Sequence, residues 1–148
     1  MVSDLRLIGL LSRALNHELS AVQQYLAQAT LTALWGMEAE SKRFREDVHA
    51  ELRHAELLME TLLGYGAAIG AAQLSPVRLG STLAEMLEMD RVLEVEAVHL
   101  YAEAVRYCER TRATEVCALF STILEDEVAH IKELDEWRAT LPKEVAYG

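Results

Sequence analysis

The sequence contains few of the features that many specialised folds require. Its only cysteines are Cys108 and Cys117, too few for a disulfide framework or a zinc ribbon. We expect both thiols to be reduced and partly buried, a bridge between them being the less favoured alternative. No glycine-rich phosphate-binding motif is present, which argues against a P-loop or Rossmann-type domain. No run of 18 apolar residues and no export signal occurs either, so we expect a cytoplasmic protein without a membrane partner.

Basic residues are also scarce. The chain has 14 lysines and arginines against 24 acidic residues, which gives a net charge of −10 at pH 7. This balance argues against a nucleic-acid partner or an anionic membrane surface. It suits a protein that attracts cations, although ordinary solubility explains the charge equally well. With 148 residues, 51% of them hydrophobic, the chain can form one domain, residues 1–148, with a sizeable core.

Helical periodicity predicts four long helices. The first helix begins at a cap on Ser3 or Asp4 and ends near Leu34, and the second spans about Glu38 to Leu63. The third begins at a capping box formed by Ser81 or Thr82 with Glu85, and it ends near Arg110. The fourth follows the turn 111–114 and ends before Pro142. Residues 64–80 contain four glycines and a proline, so they form one long connection. Such a connection can cross a bundle lengthwise, which makes the second and third helices parallel. The fold class predicted is all-α, a four-helix bundle of two hairpins joined by one long crossover.

Glutamate and histidine three residues apart on a helix can chelate a metal ion. The sequence has four such pairs, at positions 46/49, 51/54, 96/99 and 127/130. Their helical faces distinguish them. Glu51 and Glu127 lie on the apolar faces of the second and fourth helices, whereas the pairs at 46/49 and 96/99 point to solvent. Two carboxylates and two imidazoles therefore face the core, where burying them unpaired would cost several kcal/mol.

Two further acids, Glu18 and Glu94, lie singly within the apolar faces of the first and third helices. A shift of 76 residues superimposes matching positions in the two halves: Glu18 on Glu94, Tyr25 on Tyr101, Phe44 on Phe120, Glu51 on Glu127 and His54 on His130. This pattern indicates an internal repeat of two helical hairpins. Related by a pseudo-two-fold axis, the hairpins would bring four carboxylates and two imidazoles to one point.

The charges and donor types of this cluster predict a dinuclear metal site. Four carboxylates balance two divalent cations, and carboxylate oxygens with imidazoles suit iron or manganese; zinc would also bind. No thiolate is offered for copper(I) or an iron–sulfur cluster. We expect two iron ions per chain, with Glu51 and Glu127 bridging them, Glu18 and Glu94 as terminal ligands, and one ligand each from His54 and His130.

Several motifs of the chain resemble bacterioferritin. They include Asn16-His17-Glu18-Leu19, Gln24-Tyr25, Glu51-Leu52-Arg53-His54-Ala55, Leu93-Glu94 and Ile123-Leu124-Glu125-Asp126-Glu127 with His130-Ile131. The resemblance runs without gaps from about residue 4 to 135, and the six residues proposed above match the family's di-iron ligands. It implies a ferroxidase that oxidises Fe(II) with O2 or H2O2 for iron storage and detoxification. It also implies that Tyr25 donates electrons near the metals, although packing alone explains a buried tyrosine there equally well.

The departures from the family pattern concern haem, one acidic group and the tail. Leu52 replaces the methionine that binds haem across a subunit two-fold axis, so haem is not expected unless a second subunit type supplies the ligand. Met59, on the same side of the helix, is better explained as a core residue.

Ala50 replaces an acid found in several members of the family, whereas its repeat mate Asp126 can still orient one imidazole. The stretch 141–148 is too short for the family's fifth helix, which leaves an altered cage or a smaller assembly such as a dimer open.

We expect a homo-oligomer built from dimers through apolar residues outside the bundle core, such as Trp35, Leu52 and Met59. Three alternative functions share the layout of acids: a rubrerythrin-like peroxidase, a di-iron oxygenase and a non-catalytic shell subunit. The peroxidase is disfavoured by the lack of a Cys-x-x-Cys module and of an extra carboxylate ligand. The oxygenase requires a substrate cavity. The shell subunit is disfavoured because it has no reason to bury four acids.

Overall fold

In the computed structural model, which describes residues 4–142, the chain forms four α-helices: α1 Leu5–Leu34, α2 Glu38–Gly64, α3 Leu83–Thr111 and α4 Thr114–Ala139. No strand occurs within this range. The all-α class is confirmed, and each helix boundary agrees with its prediction within about three residues. Asp4 caps α1 by accepting a hydrogen bond from the Leu7 backbone N–H at 3.0 Å. Ser3, the other cap considered, lies outside the described residues.

The predicted capping box at the start of α3 is also present. Thr82 Oγ1 accepts from the Glu85 N–H at 3.2 Å, and Glu85 Oε2 accepts from the Ser81 N–H at 2.7 Å. These bonds satisfy backbone donors that the first turn of a helix leaves without intrahelical partners.

The four helices form two antiparallel hairpins. Residues 35–37 connect α1 to α2, with Gly36 at φ 79°, and residues 112–113 connect α3 to α4, with Arg112 at φ 58°. Side chains also link α1 to α3 in antiparallel order, since Tyr25 contacts Glu94 while Tyr101 contacts Glu18. The second and third helices are therefore parallel, and the connection between them crosses the bundle lengthwise, as predicted.

A row of polar side chains on α1 anchors this crossover. Asn16, Ser20 and Gln24 lie one helical turn apart and bind the backbone of residues 73–78. Asn16 Oδ1 accepts from the Gln73 N–H at 3.3 Å, Ser20 Oγ accepts from the Ser75 N–H at 2.9 Å, and Gln24 both accepts from the Arg78 N–H and donates to the Arg78 carbonyl, at 2.9 and 2.7 Å. The crossover thus has defined partners although it has no regular secondary structure.

Two larger apolar clusters fill the bundle on either side of a polar layer, and a third, smaller one contains Ala21, Tyr25 and Val48. One of the larger clusters contains Leu11, Leu58, Tyr101 and Phe120 among others. The other is built around six residues: Ala29, Phe44, Met86, Leu87, Leu134 and Trp137. On every helix, the buried glutamate lies between the residues that belong to the two clusters. The clusters therefore enclose the acids from both ends of the bundle.

Three other expectations concern the surroundings of this core. Cys108 is buried, Cys117 is partly buried and both are free thiols, as predicted. Met59 is partly buried and packs against the first apolar cluster, which confirms its interpretation as a core residue, while its role in a dimer surface stays a prediction. No helix in the described part of the chain is long and apolar enough to cross a membrane.

Replacing Gly80 by alanine should lower the thermal midpoint. A Cβ at residue 80 would lie 2.6 Å from the Glu85 Cβ and 3.1 Å from its Oε2, so the residue that completes the α3 cap would have to move. Overpacking of this kind costs about 1–3 kcal/mol. In Gly9→Ala, the added methyl has no described atom within 4 Å outside its own helix backbone, so this control should gain about 0.5–1 kcal/mol. Equal melting of Gly80→Ala and the parent protein would contradict the prediction.

Candidate metal centre

The polar layer at mid-bundle contains one buried glutamate from each helix, and none of the four is more than 2% exposed. Two histidines, one on α2 and one on α4, adjoin them. The structure therefore brings together all six residues predicted as ligands: Glu18, Glu51, His54, Glu94, Glu127 and His130. By contrast, Glu46, His49, Glu96 and His99 are exposed, as their helical faces predict.

The six residues form two overlapping groups. One contains Glu18, Glu51, His54 and Glu127, and the other contains Glu51, Glu94, Glu127 and His130. Within each group, one ligand atom per residue lies within 4.8 Å of all the others. Glu51 and Glu127 belong to both groups, so their carboxyls lie between two potential metal positions. Each hairpin adds a glutamate and a histidine of its own to one position.

Several buried polar atoms in this layer have no hydrogen bond among the described residues, including Glu18 Oε2, Glu94 Oε2 and His54 Nδ1. The last atom lies only 3.0 Å from Glu127 Oε1, but without hydrogen-bond geometry. Leaving buried oxygens and nitrogens unpaired is costly. A divalent cation would satisfy them, and a set of carboxylates with imidazoles fits a hard or borderline first-row metal. The residues present therefore fit a dinuclear site.

Protons balance the charge of this layer when no metal is bound. Burial lowers the pKa of His54, but the neighbouring Glu18 and Glu51 outweigh this effect and raise it to about 11. Burial acts likewise on His130, whose pKa is raised to about 10 by Asp47 and Glu94. Both imidazoles are therefore protonated at neutral pH in the metal-free protein. These positive charges occupy the place that a metal would take.

Glu18 and Glu51 differ in their affinity for a proton. Burial, followed by the charge of Glu18, raises the pKa of Glu51 well above its usual range. Burial also opposes ionisation of Glu18, but the nearby Glu51 and His54 outweigh it and lower the pKa of Glu18. Of the two carboxyls, Glu51 therefore keeps its proton to the higher pH.

Two buried tyrosines bind the terminal glutamates across the hairpins. Tyr25, on α1, donates its hydroxyl to Glu94 Oε1, and Tyr101, on α3, donates to Glu18 Oε1 at 2.5 Å. Burial, reinforced by the nearby carboxylates, raises the pKa of both phenols well above the usual value. We predicted a role for Tyr25 and assigned none to Tyr101, although the 76-residue shift superimposes the two.

A carboxylate lies beside the outer nitrogen of each imidazole. His54 Nε2 donates to Asp126 Oδ2 at 2.8 Å, as expected for an orienting acid. The expectation that Ala50 leaves the other imidazole without such a partner is wrong. Asp47, nearly one turn before Ala50, places its Oδ1 3.4 Å from His130 Nε2. The 76-residue repeat could not reveal Asp47 as this partner, because the repeat pairs Asp126 with Ala50, and Asp47 lies nearly one turn earlier on α2.

A surface cleft of about 360 Å³ between α2 and α4 reaches the polar layer. Glu51, His54, Glu127 and His130 contribute to its lining, and so do both orienting acids. The cleft therefore connects solvent with the potential metal positions through groups that attract cations.

Comparison with known proteins agrees with this architecture. A family model described as a ferritin-like domain matches residues 8–143. A bacterioferritin of Rhodobacter capsulatus is 31% identical over 91% of this chain and 84% of its own length. A bacterioferritin of Brucella melitensis is also 31% identical, over 100% of this chain and 93% of its own, and one of Mycolicibacterium paratuberculosis is 29% identical over 91% and 85%. The chain therefore belongs to the ferritin-like domain family and, within it, to the bacterioferritins.

Proposed function

We propose that this protein is a ferroxidase that oxidises Fe(II) with O2 or H2O2 at a dinuclear centre. The physiological role of this oxidation is iron storage and detoxification. The observation that carries the proposal is the pair of overlapping donor groups that share Glu51 and Glu127 and contain unpaired buried oxygens. Similarity to bacterioferritins supports iron as the metal.

Each residue of the layer has a distinct task in this proposal. Glu18 with His54 would hold one Fe(II) and Glu94 with His130 would hold the other, while Glu51 and Glu127, which belong to both donor groups, would contribute to both positions. Asp126 and Asp47 fix the orientation of the two imidazoles. Tyr25 donates a hydrogen bond to Glu94 and serves as an electron donor. The bound pair of Fe(II) ions supplies two electrons to the oxidant. The apolar clusters on both sides keep bulk water away from the carboxylates.

Loading the centre requires protons to leave. Imidazoles must be neutral and carboxyls ionised before they bind a metal, so the protons on His54, His130 and Glu51 depart as Fe(II) enters. The cleft between α2 and α4 offers the path, because both orienting acids lie along it. Four carboxylates then neutralise the charge of two divalent ions.

The proposal includes a homo-oligomer built from dimers. Trp35 and Leu52 are 42% and 43% exposed, so both are available for contact between subunits. Leucine at position 52 offers no ligand for haem iron, and the absence of haem in that mode remains a prediction. The tail on which the expectation of a smaller assembly rests lies mostly outside the described residues, from 143 onward.

Anaerobic titration with Co(II), followed by oxidation of Fe(II) in air, tests the proposal. We expect two Co(II) per chain with visible ligand-field bands, and rapid formation of Fe(III) in the same preparation. Light scattering on the iron-loaded protein distinguishes a storage cage from a dimer. Failure to bind either metal would reject the ferroxidase and favour the non-catalytic shell subunit. A dimer that oxidises iron but holds only two ions per chain would reject storage alone.

Removing an orienting acid should weaken one metal position. Such outer partners of ligating histidines typically contribute 10- to 100-fold to metal affinity, so we expect Asp126→Ala to weaken one of two Co(II) sites by about this factor. Glu125→Ala, which removes an exposed acid next to it, is the matched control and should leave both sites unchanged. If both variants lower the affinity equally, general surface charge rather than imidazole orientation is responsible.

A further inference from the structure

The hydrogen bonds of the two buried tyrosines are related by the internal repeat. Tyr101 stands 76 residues after Tyr25, and its acceptor Glu18 stands 76 residues before Glu94, the acceptor of Tyr25. Both rings are fully buried, and each hydroxyl crosses from one hairpin to the terminal glutamate of the other. The centre therefore has one phenol at each end.

Such a contact is what the oxidation of a tyrosine requires. Removing an electron from a phenol makes its hydroxyl strongly acidic, so the proton must pass to a neighbouring base as the electron leaves. Glu18 Oε1, 2.5 Å from the Tyr101 oxygen, is positioned to accept that proton. Within the described chain, no other hydrogen-bond partner of the Tyr101 hydroxyl is present.

We propose that Tyr101 is a second electron donor of the centre, acting at Glu18 as Tyr25 does at Glu94. This inference rests on the proposed ferroxidase function. Two Fe(II) and two tyrosines then supply the four electrons that convert one O2 to two waters. The two phenols release two of the four protons and solvent supplies the other two, which leaves two Fe(III) and two neutral tyrosyl radicals. Two further Fe(II) and two protons restore the tyrosines.

The surroundings of the two donors differ. Near Tyr25, buried Gln28 donates to Asp90 at 2.7 Å, and the His130 ring packs edge-on against Tyr25 at 5.6 Å. The repeat replaces Gln28 and Asp90 by Ala104 and Ala14 in the other half. Both tyrosines belong to apolar clusters: Tyr25 lies with Ala21 and Val48, and Tyr101 packs against Phe120, with ring centroids 6.0 Å apart. A radical on Tyr101 therefore has fewer polar groups around it, and we expect it to decay more slowly than one on Tyr25.

Freeze-quench electron paramagnetic resonance after mixing Fe(II)-loaded protein with O2 tests the proposal. Tyr25→Phe and Tyr101→Phe should each lower the tyrosyl radical yield about twofold if the donors act independently, and the double variant should lower it at least about tenfold. Hydrogen peroxide released per O2 should rise in the double variant. Tyr107→Phe, which removes a phenol bound to Asp4 far from the layer, is the control and should keep the full radical yield.

Co(II) stoichiometry and thermal melting of each variant complete the test. Phenylalanine keeps the ring, so we expect two Co(II) per chain and a folded protein in every variant. The donor role is overturned if Tyr25→Phe alone removes the entire radical, if the double variant keeps it, or if the parent protein oxidises iron without a radical. It is also overturned if Tyr101→Phe loses a Co(II) site, since Tyr101 would then position Glu18. Failure of the parent protein to bind Co(II) would instead reject the ferroxidase itself.

Discussion

Replacing Glu51 by glutamine should abolish rapid Fe(II) oxidation and, at the same time, stabilise the metal-free protein. Glu51 belongs to both donor groups, so an amide at this position weakens both metal sites. We expect the oxidation rate to fall by more than about 100-fold, beyond the 10- to 100-fold typical of outer partners. The opposite effect on stability follows from the charge of the layer, because an amide of similar shape removes one acid from four crowded, buried carboxyls.

The gain in stability is expected to be on the order of 1 kcal/mol, which raises the midpoint of a domain of this size by about 2–4 °C. Calorimetry of chelator-treated protein and stopped-flow oxidation of Fe(II) measure the two effects. Glu46→Gln changes an exposed glutamate on the same helix and should alter neither quantity. A Glu51→Gln protein that is less stable without metal, or that oxidises iron at the parent rate, would contradict the assignment of Glu51 as a shared ligand.

Saturating Co(II) should raise the thermal midpoint, and this increase should grow from about pH 6 to about pH 8.5. A ligand at 100 times its Kd stabilises a folded protein by about 2.7 kcal/mol per site, so two sites should raise the midpoint by about 10 °C or more. The increase depends on pH for two reasons with the same sign. Metal binding displaces protons, so it tightens as pH rises.

The second reason is the behaviour of the metal-free protein. Folding raises the pKa of His54 from 6.5 to about 11 and that of His130 to about 10, so the folded state binds more protons between these values than the unfolded state does. The stabilisation by the protonated imidazoles is complete below about pH 6.5 and is lost as pH rises through the folded values. The raised pKa of Glu51 acts in the same direction above its ordinary range. A metal-free midpoint that rises over this pH interval would contradict the charge balance inferred for the layer.

The sequence predicted the helices and the inward-facing positions of the six candidate ligands because both depend on local periodicity. An α-helix has about 3.6 residues per turn, so the sequence position of a residue determines the helical face on which it lies. Glu51 and Glu127 can therefore be assigned to apolar faces without knowing which residues of other helices contact them. The 76-residue repeat added a long-range constraint, because it required both hairpins to present matching groups. The capping box at Ser81, Thr82 and Glu85 is equally local, and it too was found as predicted.

Partners that lie on different helices were harder to predict. Asp47 replaces the acid missing at Ala50 because α2 and α4 pack in a register that places it beside His130, and a shift of one turn moves a side chain by about 5.4 Å along the axis. The same holds for Gln28 with Asp90 and for the row of α1 side chains that binds the crossover. The exposure of Met59 likewise depends on what packs against that side of α2.

Sequence alone thus determined the composition of the centre: four acids and two histidines on apolar helical faces, arranged as two equivalent halves. Only the tertiary structure decided that Asp126 contacts His54, that Asp47 lies beside His130, and that Tyr101 contacts Glu18 as Tyr25 contacts Glu94. The physical reason is that a helical face is set by backbone geometry within one chain segment. Contacts between helices depend instead on their axial register and rotation, which the packing of the whole core determines.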